Sequence, residues 1–305
     1  MGYLNNGQWI DQWYDTTATK GAFKREKSQF RHTIKQSNDI FKPEKDRYHL
    51  YVSYACPWAH RTLIFRQLKQ LESIISVSVV EPIMLEHGWV FSKTYPDHLY
   101  NNTYLYQLYK TSNPTYVGRV TVPILWDKQT KQIVNNESED IIRLFNTAFN
   151  HITNNTTDYY PKHLQQKIDK INQLVYHKIN NGVYKAGFAT TQGSYNQAVT
   201  ELFNALDQLE IQLQEQPYLT GNQITEADWR LFTTLIRFDA VYVGHFKCNL
   251  KRLIDYPNLH TYCKKLLNHN AIQSTTFMDH IKTHYYKSHP TINPTGVVPL
   301  GPTTI

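Results

Sequence analysis

The chain has 305 residues, 41% hydrophobic and 19% charged, with a formal net charge of +7. That length accommodates two ordinary domains, and no apolar run is long enough to cross a bilayer; the longest, Ile74 to Leu85, is broken by Glu81 and Pro82. Basic residues occur in pairs such as Lys24-Arg25, Lys251-Arg252 and Lys264-Lys265, not in a run that would track a phosphate backbone, so neither a nucleic-acid nor a membrane partner is expected. The first dozen residues lack a basic segment followed by an apolar one, and with three cysteines the expectation is a cytoplasmic protein with reduced thiols.

Residues 1–45 are polar with scattered aromatics (Trp9, Trp13, Tyr14, Phe23, Phe30) and read as an extension lying across another surface. From Tyr48 to Val52 a β-rich run leads directly into Ser53-Tyr54-Ala55-Cys56-Pro57-Trp58-Ala59, and the helical run that follows carries Leu63, Ile64, Leu68 and Leu71 on one face. Proline suits the first helical position, where its missing N–H costs nothing, so Cys56 falls at the N-cap. The unpartnered amides and positive dipole end at that place favour a thiolate, and cysteines so placed titrate between roughly 3.5 and 7.5 instead of about 8.5. Position 59, where a dithiol oxidoreductase carries its second cysteine, is Ala59. Cys248 and Cys263 are remote in sequence, so the simplest chemistry is one nucleophilic sulfur that forms a mixed disulfide and is released by an external thiol, for which glutathione is the obvious candidate.

The run continues with a strand at Ile75–Val80, a long irregular stretch from about Glu86 to Val120, strands at Val122–Trp126 and Gln132–Val134, and a helix over Ser138–Phe149. This order, βαβ followed by ββα with a cysteine after the first strand, predicts an α/β thioredoxin-like domain over residues 46–150. Val122-Pro123 opens a strand at a place where glutathione-binding domains of this type use a cis-proline that leaves the preceding backbone able to pair with a peptide. Glu137-Ser138 opens the next helix: amides and a hydroxyl there suit a carboxylate, and Glu137 suits an ammonium, the two groups at the γ-glutamyl end of glutathione. An ordinary cap by Asn136 with Glu139 fits the same residues.

A polar stretch, His151 to Thr157, reads as the linker. Beyond it Val199, Leu202, Leu206, Leu209 and Leu213 recur at helical spacing, and Thr225-Glu226-Ala227-Asp228 has the form of a capping box, so residues 160–286 are expected to form an all-helical domain. Prolines 290, 294, 299 and 302 predict an extended tail over 287–305.

Taken together, Tyr51-Val-Ser-Tyr-Ala-Cys56-Pro-Trp-Ala-His-Arg-Thr62, Glu86-His-Gly-Trp89, Val122-Pro-Ile-Leu-Trp-Asp127, Asn135-Asn-Glu-Ser138, Asn180 to Phe188, Glu226 to Phe232, Arg237 to Asn249 and His284 through Gly301 resemble the glutathionyl-hydroquinone reductases, the Xi class of glutathione transferases, over nearly the whole chain. The resemblance implies a nucleophile at Cys56, a glutathione site including Trp89, Arg119, Val122, Glu137 and Ser138, and catalytic tyrosines at Tyr184, Tyr242 and Tyr285, whose phenols are usable donors at neutral pH. It also implies an all-α C-terminal domain of the glutathione-transferase type, a homodimer, glutathione as co-substrate and no bound cofactor or metal. Tyr54 departs from the family pattern, which usually has a smaller aliphatic residue there. The competing readings are a general glutathione-dependent thiol transferase or dehydroascorbate reductase, a conjugating transferase, disfavoured by a cysteine at the nucleophile position, and a non-catalytic module on the same fold. A zinc site at His245 and Cys248 lacks a recognised completing ligand in Cys263.

Overall fold

A computed structural model of the chain describes residues 2–302, so Met1 and the last three residues of the expected tail lie outside it. Two compact units are present. The first comprises the chain through Trp13, Glu26–Thr157 and Thr275–Ser288; the second comprises Tyr14–Arg25, Asp158–Ser274 and the chain from His289.

Among the described residues the first unit holds seven strands: β1 (Tyr3–Asn5), β2 (Gln8–Ile10), β3 (Tyr48–Val52), β4 (Ile75–Val79), β5 (Gly118–Arg119), β6 (Ile124–Asp127) and β7 (Gln132–Asn135). Four of them form the central sheet in the order β4-β3-β6-β7, with β3 parallel to β4 and antiparallel to β6. The parallel β3–β4 pair requires a crossover, which helix α1 (Pro57–Leu68) supplies. β3 is buried at all five positions, as expected of a central strand covered on both faces. α1 ends at Leu68 and not at Leu71, because Gln70 takes a left-handed conformation (φ 57°) and the amides of Gln70 and Leu71 fold back on the carbonyls of Gln67 and Arg66. Leu71 is nonetheless fully buried.

The stretch 86–120, irregular by sequence, contains α2 (Tyr106–Ser112) and β5. The extension also has more structure than its composition suggested: β1 and β2 form a hairpin whose outer neighbour is β5. Further on, Arg31 bridges Asn135 antiparallel, His32 N–H donates to Val134 O (3.0 Å) and Asn136 N–H to Phe30 O (3.0 Å), so residues 30–32 run along the edge of β7. α3 (Ser138–Thr147) and α4 (Asn150–Thr153) follow.

The second unit is helical: α5 (Gln165–Leu174), α6 (Gly182–Gly187), α7 (Gln192–Glu215), α8 (Glu226–Leu235), α9 (Pro257–Leu267) and α10 (Asn270–Gln273), with π-helical turns at Val175–Asn180 and Phe238–Tyr242. α7 buries Val199, Leu202, Leu206 and Leu209 of the stripe read from the sequence, while Leu213, its last member, is half-buried. α8 starts with the expected capping box, in which Asp228 accepts from Thr225 N–H (2.7 Å). The last helix, α11 (Met278–Ser288), read from the sequence as part of the helical domain, groups with the first unit. Among the described residues no helix is long and apolar enough to cross a membrane.

Candidate active site

Ser53 builds the turn that carries Cys56. Its carbonyl accepts the Cys56 N–H (3.2 Å) and its hydroxyl accepts the Ala55 N–H (3.2 Å). Cys56 then occupies the N-cap of α1 in an extended conformation with Pro57 at the first helical position, as the sequence predicts. The thiol does not itself cap the helix; Sγ lies 3.6 Å from Val122 O, as a donor to that carbonyl. Cys56 is part-exposed, whereas Cys248 and Cys263 are buried and their burial pushes both thiols far above the usual range. Cys56 is thus the one cysteine of the three placed to meet a reagent. The Arg61 guanidinium, on the next turn, stacks over the Trp58 ring at 4.7 Å.

The Val122–Pro123 bond is cis. The backbone just before it is held by Tyr109 of α2, whose hydroxyl donates to Thr121 O (2.9 Å) and accepts from Thr121 N–H (3.2 Å). The same oxygen also lies 3.1 Å from Asn136 Nδ2. One buried phenol therefore ties the segment opposite Cys56 to the residue preceding Glu137. Nothing local in the sequence marks Tyr109 among its 22 tyrosines.

At the start of α3 the N-cap is Glu137, whose carboxylate accepts from Glu139 N–H (3.4 Å) and from Ser28 Oγ (3.0 Å). The alternative cap, Asn136, is otherwise engaged: its Oδ1 accepts from Phe30 N–H (3.2 Å). Ser138 is 1% exposed, and its hydroxyl has no hydrogen-bond partner among the described residues. A buried hydroxyl without a partner costs about 1–3 kcal/mol, and this one sits in the first turn of a ten-residue helix, where anions are favoured.

Trp89 is buried and stacks on His284 of α11 (4.9 Å between ring centroids, 22° between planes). His284 Nδ1 faces Pro82 O at 2.9 Å, and because a carbonyl only accepts, that nitrogen carries the proton. Tyr285, the next residue, is 1% exposed and belongs to the same unit as Cys56. Arg119, expected at the glutathione site, directs its guanidinium to the N-terminal segment: it donates to Gln12 O (2.6 Å) and Trp13 O (3.3 Å), approaches Glu26 (3.6 Å) and lies over the Tyr3 ring.

Tyr184 and Tyr242 lie in the second unit, 6.2 Å apart between ring centroids, and both pack on Phe246. Phe246 in turn lies so close to Gly187 that any Cβ there would strike its ring. Tyr242 closes one of the two π-helical turns, a device common at functional sites. In the same unit, the histidine weighed as a zinc ligand, His245, faces His289 across 3.0 Å and is held neutral by burial, its pKa pushed down to about 4; among the described residues no group of three or more histidine, cysteine or acidic side chains is placed to hold a metal.

Residues 55–148 match the model of the glutathione S-transferase N-terminal domain, and residues 192–265 that of the C-terminal domain. The chain is 54% identical to the glutathionyl-hydroquinone reductase YqjG of Escherichia coli K12, over 99% of this chain and 95% of that protein. Among solved structures, the glutathione transferase Xi of Phanerochaete chrysosporium superposes with a TM-score of 0.90 at 54% identity, covering 92% of this chain and 98% of that one. The glutathione-bound structure of YqjG gives a TM-score of 0.88 at 53% identity, covering 90% of this chain and 94% of that one. This chain belongs to the glutathione transferase family, and within it to the Xi class of glutathionyl-hydroquinone reductases.

Proposed function

We propose that the protein is a glutathione-dependent reductase that removes the glutathionyl group from glutathionyl-hydroquinones, with Cys56 as nucleophile. The observation that carries this reading is the part-exposed Cys56 at the N-cap of α1, with Ala59 in place of a resolving cysteine, in a chain 54% identical to a protein named as such a reductase. In the first half-reaction the Cys56 thiolate attacks the sulfur of the conjugate. The aromatic carbon leaves with the carbon–sulfur bonding pair and takes up a proton, giving the hydroquinone and a Cys56–glutathione mixed disulfide. A second glutathione thiolate then attacks the glutathionyl sulfur, releasing oxidised glutathione and restoring Cys56, which gives ping-pong kinetics.

Glutathione is the co-substrate, and its binding is assigned to Trp89, Arg119, Val122, Glu137 and Ser138. The buried Ser138 hydroxyl at a helix N-terminus suits the γ-glutamyl carboxylate, and Glu137 suits the ammonium. The Val122 backbone, whose carbonyl lies 3.6 Å from Cys56 Sγ, is assigned to the cysteinyl backbone of the peptide. The phenols of Tyr184, Tyr242 and Tyr285 are assigned as donors to the hydroquinone oxygens or to the leaving group. We further propose a cytoplasmic homodimer, which light scattering on the purified protein tests as twice the mass of one 35.9 kDa chain.

The test is to mix the protein with a glutathionylated hydroquinone and excess glutathione and follow both products by chromatography, with Cys56→Ser in parallel. The reading requires hydroquinone and oxidised glutathione in equal amounts, lost in the serine variant. Turnover confined to disulfides or dehydroascorbate would replace it with the thiol-transferase reading.

A further inference from the structure

The reaction assigned above uses Cys56 but gives no role to the residue two positions before it. Tyr54 occupies the same four-residue turn, Ser53 to Cys56, and its ring stacks on Phe277 with centroids 3.7 Å apart and planes 14° apart, the closest of the aromatic contacts described. Phe277 is the residue from which α11 starts: its carbonyl accepts the Ile281 N–H at 3.1 Å. One helical turn on, His280 meets the edge of the Tyr54 ring (5.3 Å, 70°), and its Nε2 lies 2.7 Å from the Tyr95 hydroxyl. A further turn on, His284 stacks on Trp89, and Ser288 Oγ accepts the Met84 N–H at 3.0 Å. Positions 277, 280, 284 and 288 follow helical spacing, so one face of α11 is docked along the first unit. The N-terminal end of that face meets the Cys56 turn through Tyr54, and His60 Nε2 lies 3.1 Å from Thr275 Oγ1 just before the helix. Tyr285 lies on the same helix, so this contact is one of those that fix the helix carrying its phenol against the unit that carries the thiol.

We propose that Tyr54 is a positioning residue: its stack on Phe277 fastens the Cys56 turn to α11 and holds the thiol and Tyr285 in one frame. The proposal rests on Cys56 and Tyr285 serving the reductase reaction. An offset-stacked aromatic pair is worth enough to shift a local equilibrium by roughly three- to tenfold, and the ring, not the hydroxyl, makes this contact. Tyr54→Phe therefore preserves the function and Tyr54→Leu does not.

The experiment is a double-mutant cycle of Tyr54→Leu and Phe277→Leu, with Tyr54→Phe as the conservative control. It is read in kcat and KM with a glutathionylated hydroquinone and in amide hydrogen exchange of peptides covering residues 278–288. Each leucine variant is expected to lower kcat about three- to tenfold with KM for glutathione changed less than about twofold, and to speed exchange in α11. The double variant should be no worse than the worse single, and Tyr54→Phe should stay within about twofold of the parent. Losses that multiply in the double variant, or a lower melting temperature with kcat and α11 exchange unchanged, would overturn the proposal. If the parent protein failed to turn over the conjugate, the assigned reaction would fall, and unchanged or faster exchange in the leucine variants would still decide whether Tyr54 anchors α11.

Discussion

The helix starts of α3 and α8 look alike in sequence and differ in what they leave unused. Each opens with a hydroxyl residue close to acidic ones, Ser138 with Glu139 and Asp140, and Thr225 with Glu226 and Asp228. At α8 the carboxylate of Asp228 accepts from Thr225 N–H (2.7 Å), Leu219 N–H (2.9 Å) and the Tyr262 hydroxyl (2.8 Å), and the Thr225 hydroxyl lies within hydrogen-bond reach of both Asp228 and Thr220. At α3 the Ser138 hydroxyl is equally buried but has no partner among the described residues. The first is a closed structural cap. The second is an incomplete one, which a ligand carboxylate would complete. On the proposed reading, unsatisfied groups and not residue type separate a supporting helix start from a ligand-binding one. The start of α1 is a third case, in which the N-cap sulfur leaves the capping role and faces Val122 O.

The largest expected effect separates α1 from the other two. Cys56→Ser should lower reductase turnover by at least about 1,000-fold, because a hydroxyl cannot form the mixed disulfide, with the melting temperature close to that of the parent, since the sulfur caps nothing. Next comes the closed cap: Asp228→Ala strands buried donors at Leu219, Thr225 and Tyr262 and should cost about 3 kcal/mol or more in urea unfolding. Glutathione KM should not change in the fraction that remains folded. At the incomplete cap the pattern inverts: Ser138→Ala removes a hydroxyl already lacking a partner, so stability holds or rises slightly, while KM for glutathione rises about tenfold, the worth of one charge-assisted hydrogen bond. Equal loss of stability in the Ser138 and Asp228 variants would erase the distinction.

A further effect is shared by both units. His49, between Ser76 Oγ and Ser78 Oγ, and His245, beside His289, have pKa values pushed down by burial to about 3 and about 4. Below pH ~6.5 the unfolded chain therefore binds protons at these positions that the folded chain does not. Stability should fall as the pH drops from about 6.5 towards 4, by up to about 3 kcal/mol for each histidine, and His49→Gln should flatten that slope in melting curves taken across the range.

What could be read from the sequence was local. The strand–turn–helix around Cys56, the Pro123 peptide, the stripe of α7 and the cap at Thr225 each show within a dozen residues, because periodicity and capping chemistry act over that range. The unread features depend on partners far along the chain. The β1–β2 hairpin pairs with β5 more than a hundred residues away, residues 30–32 lie along β7, and α11 docks on the thiol unit through Tyr54, Tyr95 and Trp89. Tyr109 is the clearest instance: its role comes from Thr121 and Asn136 converging on one phenol oxygen, and no spacing rule encodes that convergence. At the start of α3, residue types offered Asn136 as the ordinary cap and Glu137 as an ammonium partner; Glu137 is the N-cap, and Phe30, from the extension, occupies Asn136.

The central claim is that the thiol of Cys56 takes the glutathionyl group from the conjugate. The most direct measurement is mass spectrometry of the parent protein after a stoichiometric amount of glutathionylated hydroquinone is added with no free glutathione. One glutathionyl adduct is expected, on the peptide containing Cys56 and not on those containing Cys248 or Cys263, with free hydroquinone released in equal amount and the adduct removed when glutathione is supplied. Release of hydroquinone with no adduct on Cys56 would contradict it.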